Sequence, residues 1–378
     1  MDDVIFECEF LGREHGAIDV DSNTTEINLI EMDIVSIDLG PIGQCKSLER
    51  LTLSENPLQD IDLTPIAECK NLQELCLRWN QLDHVKLEPL SQLDCLTEID
   101  ISSNGLKRVD LEPLRGKHTL RDLYISANEI EEVDLSPLVD SRSLRYLGLT
   151  HNLLREVDLT ALSQCPGLRY LGLTSNRIKS IDLGPLDNCS RLERIELEHN
   201  EIEEIDLDAL STCRNLDYLN LRYNLLQSID LEPLMRSTRL RYLLLSGNSL
   251  TEVDLSAVEN FKNLEQLLLD YNELEEIDLS PLDQTHTLRE LRLGSNNIKD
   301  VDLSPLRGLR NLRILDFSDN PLEVVDVTDL FYCDELRTFV VERSSPGRAI
   351  RIVADKNEKR HEEAPRALQE KRERIEWI

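Results

Sequence analysis

Three residue types recur in this chain at spacings that could do chemistry. An aspartate occupies the middle of a Val/Ile-Asp-Leu triplet at Asp38 and Asp62, and recurs at that same interval from Asp110 to Asp326, with Lys86 as the one exception. Stacked in successive strands, these carboxylates would stand about 5 Å apart and repel unless they hold a cation or accept hydrogen bonds. A calcium-wrapping repeat needs glycines around the ion, and they are missing here. The expected role is therefore to accept backbone N–H groups of the turn that follows. Cysteine recurs at Cys45, Cys69, Cys165, Cys189, Cys213 and Cys333, and Leu93, Lys117, Ser141, Phe261 and Leu309 take the same slot elsewhere. Exchange among mostly small or apolar residues points to packing, since a free thiol behaves as a small hydrophobe. His151 and His199 share a register position but lie two strands apart, about 10 Å, too far to share a metal unaided.

No phosphate-cradling glycine loop, dinucleotide fingerprint, zinc-protease helix or nucleophile elbow is present. No catalytic residue, metal ligand or cofactor is expected, and the chain reads as a non-enzyme.

The elements that carry these residues are periodic. Leu48, Leu72 and Leu96 begin a series of evenly spaced leucines that runs unbroken to Leu312, and an asparagine follows each at a constant offset, from Asn56 to Asn320. The unit is L-x-x-L-x-L-x-x-N-x-L-x-x-V-D-L-x-P-L-x-x-C-x-x. The alternation in LGLTSN (Leu171, Leu173) is that of a strand. The asparagine amide can serve backbone groups of an inward turn. Ser136-Pro137, Ser280-Pro281 and Ser304-Pro305 read as a cap residue and a proline opening a short helical segment.

In this pattern the sequence resembles the leucine-rich repeat family, over roughly residues 24 to 341. The resemblance implies an α/β fold, a right-handed horseshoe solenoid with a parallel sheet on its concave face. It also implies protein binding more often than catalysis, and in some members the regulation of an enzyme such as a small GTPase or phosphatase. The expected organisation is an N-terminal cap (1–23), thirteen repeats (24–335), and a C-terminal capping strand, turn and helix (336–378). Val4, Phe6 and Phe10 with Gly12 to Gly16 suggest a hairpin at one end. At the other, Phe339 and Val341 start a strand, Ser344 to Arg348 form a turn, and Pro365 to Ile378 form a helix with Leu368, Ile375 and Ile378 on one side.

The repeats differ where the sheet would face outward, at the third, fifth, seventh and eighth positions after each leading leucine, that leucine counting as the first. Tyr146, Tyr170, Tyr218 and Tyr242 fall at the third, with Arg194 among them. Tyr124, Leu244 and Leu268 fall at the fifth, Arg222 and Asp270 at the seventh, and Trp79, Tyr223 and Tyr271 at the eighth. Tyrosine, tryptophan and arginine carry much of the energy of protein interfaces; tyrosines also stabilise a sheet by stacking across strands, and both roles are open. A partner-binding surface is expected around Tyr218, Arg222, Tyr223, Tyr242, Leu244, Leu268 and Tyr271, with Leu244 and Leu268 as a solvent-facing apolar pair. A second centre is Tyr146 and Tyr170, where Gly148 and Gly172 would leave a pocket.

The 378 residues carry a formal charge of −31, and only 4% are aromatic. That charge argues against nucleic acid and anionic membrane. It favours a protein partner with a basic or mixed polar and apolar surface, and admits an inhibitor of a basic enzyme. Nine cysteines without paired clusters suggest a reducing compartment. The opening MDDVIFECEF has neither a basic stretch nor a long apolar run, so a cytoplasmic, monomeric protein is expected.

Overall fold

In a computed structural model, residues 3–342, 349–357 and 364–378 are described; the expected turn at Ser344 to Arg348 lies outside them. The chain divides into two compact units, 1–192 and 193–378.

The first unit opens with an antiparallel hairpin of β1 (Asp3–Phe10) and β2 (Arg13–Asp21), turned at Gly12, whose φ of +77° suits glycine. Val4 and Phe6 are buried beneath it. Next come β3 (Glu26–Asn28) and β4 (Ile34–Ile37), then β5 (Arg50–Thr52), β6 (Glu74–Cys76), β7 (Glu98–Asp100), β8 (Asp122–Tyr124), β9 (Tyr146–Gly148) and β10 (Tyr170–Gly172). The hairpin attaches through β1 to β4. Strand β3 and strands β5 to β10 pair in parallel, each in register with the same positions of the next repeat, as Leu51 is with Leu75.

The second unit repeats the arrangement with β11 (Arg194–Glu196), β12 (Tyr218–Asn220), β13 (Tyr242–Leu244), β14 (Gln266–Leu268), β15 (Glu290–Arg292) and β16 (Ile314–Asp316). β17 (Val324–Asp326) stands apart, and β18 (Thr338–Val340) closes the ladder against β16. β19 (Arg351–Ala354) and β20 (Ile375–Trp377) extend β17 in parallel. The expected C-terminal helix is therefore mostly something else. Only Arg366–Gln369 is helical (α1), a 3-10 turn follows at Arg372–Arg374, and the rest is β20. Leu368 and Ile375 are buried, but Ile378 is exposed. A strand places Ile375 against β19, which a continued helix could not.

Each ladder strand is only three residues long, and its central residue is buried, an aliphatic such as Leu51, Leu147, Leu219 or Leu291 or, in β18, Phe339. One strand of this length cannot bury its own core, so stability comes from stacking neighbours. The helical segment of each repeat is a 3-10 turn of three to five residues, as in Thr64–Glu68 and Ser136–Asp140. Its cap differs from expectation. Ser136 lies inside the turn, and Asp134 two residues earlier accepts its N–H at 2.8 Å. The same bond recurs from Gly40 to Asp38, Thr64 to Asp62, Thr160 to Asp158 and Ser304 to Asp302. Hydroxyl and N–H groups of the turn lower the carboxyls of Asp62, Asp158, Asp254 and Asp278. The aspartates thus serve the turn, the role expected of them.

The cysteine column lies inside. Cys69 donates to the Ile42 carbonyl at 3.5 Å, and Cys165 to that of Ser141 at 3.4 Å. Burial pushes both thiols up to about 11. Lys117, in the same column, buries its chain and donates to the Ser91 carbonyl at 2.8 Å.

The asparagines close the turns. Asn128 donates to the carbonyls of Ile101, Ile125 and Ser126, and its Oδ1 accepts the Leu106 N–H at 3.1 Å. The residue before each asparagine adopts a left-handed backbone, with φ from +53° to +59° at Trp79, His151, Tyr223 and Tyr271 among others. Only there can the chain bend so that the asparagine points inward.

Candidate partner-binding surface

The solvent face of each sheet is built from the side chains flanking the buried central residue, so its third and fifth positions share one strand. Register then stacks equivalent residues about 4.8 Å apart.

In the first unit Tyr124, Tyr146 and Tyr170 form one column of rings. Tyr146 and Tyr170 stack at 4.1 Å and 3°, and Tyr124 meets Tyr146 at 4.5 Å. The pocket expected beside Gly148 and Gly172 is filled. A Cβ at position 172 would come within 2.6 Å of the Tyr170 ring, and one at 148 within 3.0 Å of Tyr146. The glycines make room for rings that lie down across the strand. Among the described residues of this unit the large exposed aromatic on the rim is Trp79, at 61% exposure.

In the second unit Tyr218 lies between the Arg194 guanidinium, 3.8 Å from its ring, and Tyr242 at 5.5 Å. Burial raises the Tyr218 hydroxyl. Leu244 and Leu268 are not the solvent-facing pair that alternation suggests, since they are 3% and 8% exposed. The fifth position sits mid-face, where cross-strand neighbours cover it: Asn220 beside Leu244 is buried as well. Arg222 and Asp270 are also committed. Arg222 pairs with Glu198 at 2.8 Å, and Asp270 accepts the Ser246 hydroxyl at 2.6 Å.

What remains outward is the eighth position. Tyr223 is 43% and Tyr271 60% exposed. Tyr223 stacks on His199 at 4.4 Å and 7° and leans over Gly247, where a Cβ would meet its ring at 2.5 Å. His199 stands one repeat before Tyr223 at the same position, and that aromatic neighbour, already visible in the chain, is the signal that it belongs to this row rather than to a metal site. The surface can therefore offer a partner the exposed parts of the Tyr223 and Tyr271 rings, with Gly247 covered by the Tyr223 ring. Among the described residues no group of three or more metal-ligating side chains comes together, and no helix is long and apolar enough to cross a membrane.

The comparisons agree with this architecture. A leucine rich repeat model matches residues 46–106, 94–154, 118–178 and 166–226. A BspA type leucine rich repeat region matches 198–304, and a two-copy leucine rich repeat model matches 286–331. No curated protein matches the sequence. Among solved structures, an internalin from Listeria monocytogenes is similar at 23% identity and a TM-score of 0.70, over 88% of this chain and 91% of that one. A leucine-rich repeat protein of Leptospira interrogans is similar at 21% and 0.74, over 94% and 96%. The ectodomain of the Arabidopsis thaliana membrane receptor kinase GASSHO1/SCHENGEN3, solved with CASPARIAN STRIP INTEGRITY FACTOR 2, is similar at 24% and 0.72, over 90% of this chain but 39% of that one. At these identities the likeness is one of fold, whereas the repeat models match the sequence itself from residue 46 to 331: the chain belongs to the leucine-rich repeat family, and each of its two units is a leucine-rich-repeat solenoid.

Proposed function

We propose that this protein is a non-catalytic interaction scaffold whose sheet face binds a protein partner, with the C-terminal unit's rim of His199, Tyr223, Gly247 and Tyr271 at the centre. The observation that carries this is the choice of side chain at a costly backbone. A non-glycine residue in the left-handed region costs about 1–2 kcal/mol, and the fold accepts serine, alanine, aspartate or glycine there, as at Ser103, Ala127, Asp319 and Gly247. Tyrosine adds nothing to the turn, yet Tyr223 and Tyr271 leave their rings in solvent. Rigid aromatic surface of this kind is what interfaces use. Tyr218 and Tyr242 support this face by stacking and serve as its floor, and Leu244 and Leu268 lie beneath it; Tyr146 and Tyr170 stack in the same way on the sheet face of the N-terminal unit. The free thiols of all nine cysteines support a reducing, cytoplasmic location.

The test is affinity capture with the full chain and with Y223S/Y271S in parallel, followed by titration of each retained protein. The proposal expects at least one binder to lose roughly 2 kcal/mol or more of affinity while the melting temperature holds. Binders that ignore the substitution would place the interface elsewhere.

A further inference from the structure

We propose that Leu11, Ile30, Met32 and Trp79, on the rim of the N-terminal unit, anchor a segment of a protein partner whose lysine or arginine side chains reach the carboxylates of Glu74 and Glu98 on the adjoining sheet face. This surface lies in the other unit from the aromatic rim and does not depend on it.

The end of a repeat stack is expected to turn a polar surface to solvent, but this end exposes apolar side chains. Among the described residues the N-terminal unit has five large exposed apolar side chains, and four of them lie together here; the fifth, Ile5, is on the outer face of the hairpin. Single exposed apolar residues are ordinary, whereas a contiguous group marks an interaction site. Contiguity follows from backbone bonds. The Leu11 N–H donates to the Asp33 carbonyl at 2.8 Å, which sets Leu11, 64% exposed, beside Met32. Ile30 and Met32 flank Glu31. The N–H groups of Glu31 and Glu55 donate to the carbonyls of Ser54 and Arg78, one repeat on, so Glu31, Glu55 and Trp79 form one row. At about 4.8 Å per strand, Trp79 stands about 10 Å from Glu31, a span of about three extended residues. Met32 occupies the slot that later repeats give to a buried asparagine, yet its side chain is in solvent.

Charge decides what kind of segment fits. The carboxylates of Glu31 and Asp33, inside the patch, have no ion-pair partner among the described residues, and Glu55 is matched by Arg78 at 3.6 Å. On the sheet face beside the rim, Glu98 stands in register between Glu74 and Asp122, with Asp100 two residues on. Glu74 and Glu98 are half-buried, and among the described residues neither has an ion-pair partner within 4 Å. Arg50, in register with Glu74, is taken by Glu26 at 3.0 Å, and Arg145 and Arg121 act on Asp122. Burial raises the Glu98 carboxyl, and Glu74, Asp122 and Asp100 raise it further. The aspartates of the turns also stand in a row, but they accept N–H groups; among the described residues no hydrogen bond reaches Glu74 or Glu98. In the C-terminal unit the ladder strands carry three carboxylates, and each has an arginine: Glu196 pairs with Arg194, Glu290 with Arg292, and Asp316 with Arg292 at 3.9 Å. Like charges side by side weaken a sheet, and a cation brought by a partner relieves them. The occupant is thus a segment with an apolar anchor for the rim and a basic side chain for the face.

The experiment measures anisotropy of fluorescein-labelled peptides of about eight residues on the full chain, at low and physiological salt. One alternates leucine and lysine, one serine and lysine, and one leucine and glutamate. The leucine and lysine peptide should bind most tightly. W79S, which installs the residue that Ser103 and Ser175 already place at that backbone position, should weaken it roughly tenfold or more, and so should L11S/M32S. E74Q/E98Q should weaken it most at low salt, and should melt at the same or a higher temperature, since it removes repulsion. Y223S/Y271S should leave it unchanged, which separates this surface from the aromatic rim. The proposal is overturned if the serine and lysine peptide binds as tightly, which would reduce the effect to net charge, or if the leucine and glutamate peptide does. It is overturned as well if W79S, L11S/M32S or E74Q/E98Q binds as the parent does. A fall of several degrees in the melting temperature of E74Q/E98Q would overturn it too, by assigning those carboxylates to the fold. So would sedimentation of the chain as a dimer that W79S dissolves, since the occupant would then be a second copy.

Discussion

Replacing Asn128 by alanine isolates the bond that closes a repeat. Its Nδ2 donates to three carbonyls, but each has a second donor: Asn104 also serves Ile101, Asn152 also serves Ile125, and the Ser103 N–H also serves Ser126. Those acceptors each lose one of two partners, a modest change. The Leu106 N–H is different, because the Asn128 Oδ1 is its acceptor. Both residues are buried. An orphaned buried N–H costs about 1–3 kcal/mol, and the weakened carbonyls add about 0.5–1.5 kcal/mol. N128A should therefore cost about 2–4 kcal/mol. Asn128→Asp should be no better, although it keeps the acceptor, because it turns a second oxygen toward the carbonyls the amide had served. Urea denaturation gives the total, and hydrogen exchange at the Leu106 amide reads the local loss. A cost under about 0.5 kcal/mol, or unchanged protection of that amide, would refute the assignment of the turn to asparagine.

Other expectations follow from the same contacts. Burial would raise the Glu342 carboxyl, but hydrogen bonds from Lys371 and the backbone N–H groups of Val341 and Glu342 bring it down to about 2. Its contribution is thus present above the unfolded carboxylate value of about 4.3 and lost as pH falls toward 2; exchange at Leu368 to Lys371 should rise over that window, and in E342Q already at neutral pH. Replacing Lys117 by leucine, the residue found at Leu93 and Leu309, removes a buried ammonium together with its bonds to the Ser91 carbonyl and Asp94 and should raise stability by about 1 kcal/mol; lower stability on denaturation would show that those bonds matter more. Under native alkylation the exposed Cys95 should react first, while Cys69, Cys165 and Cys333, buried with thiols raised to about 11 to 12, should wait for unfolding, as peptide mass mapping will show. Gly172→Ala should push the Tyr170 ring out of its stack, costing about 1–3 kcal/mol and altering the near-ultraviolet dichroism of tyrosine.

The sequence alone determined the repeat and its phase, the buried central residue of each strand, the inward asparagines and the service of the aspartates to the following turn. These follow from interactions within one repeat or with its immediate neighbour, so a fixed period writes them directly into the chain. Exposure on the sheet face was decided otherwise. Alternation placed Leu244 and Leu268 outward, but burial there depends on side chains one strand to either side, a full repeat away in sequence. The same holds for the space beside Gly172, filled by a ring whose tilt no pattern encodes, and for Arg222, whose charge is taken by Glu198. At the C-terminus the period ends, and with it the legibility. A helical reading of residues 365 to 378 is reasonable locally, yet Ile375–Trp377 forms a strand because β19 offers it an unpaired edge. Where structure depends on nearest neighbours in a regular stack, sequence suffices; where it depends on which side chains meet across that stack, or on an edge left open at its end, only the folded chain decides.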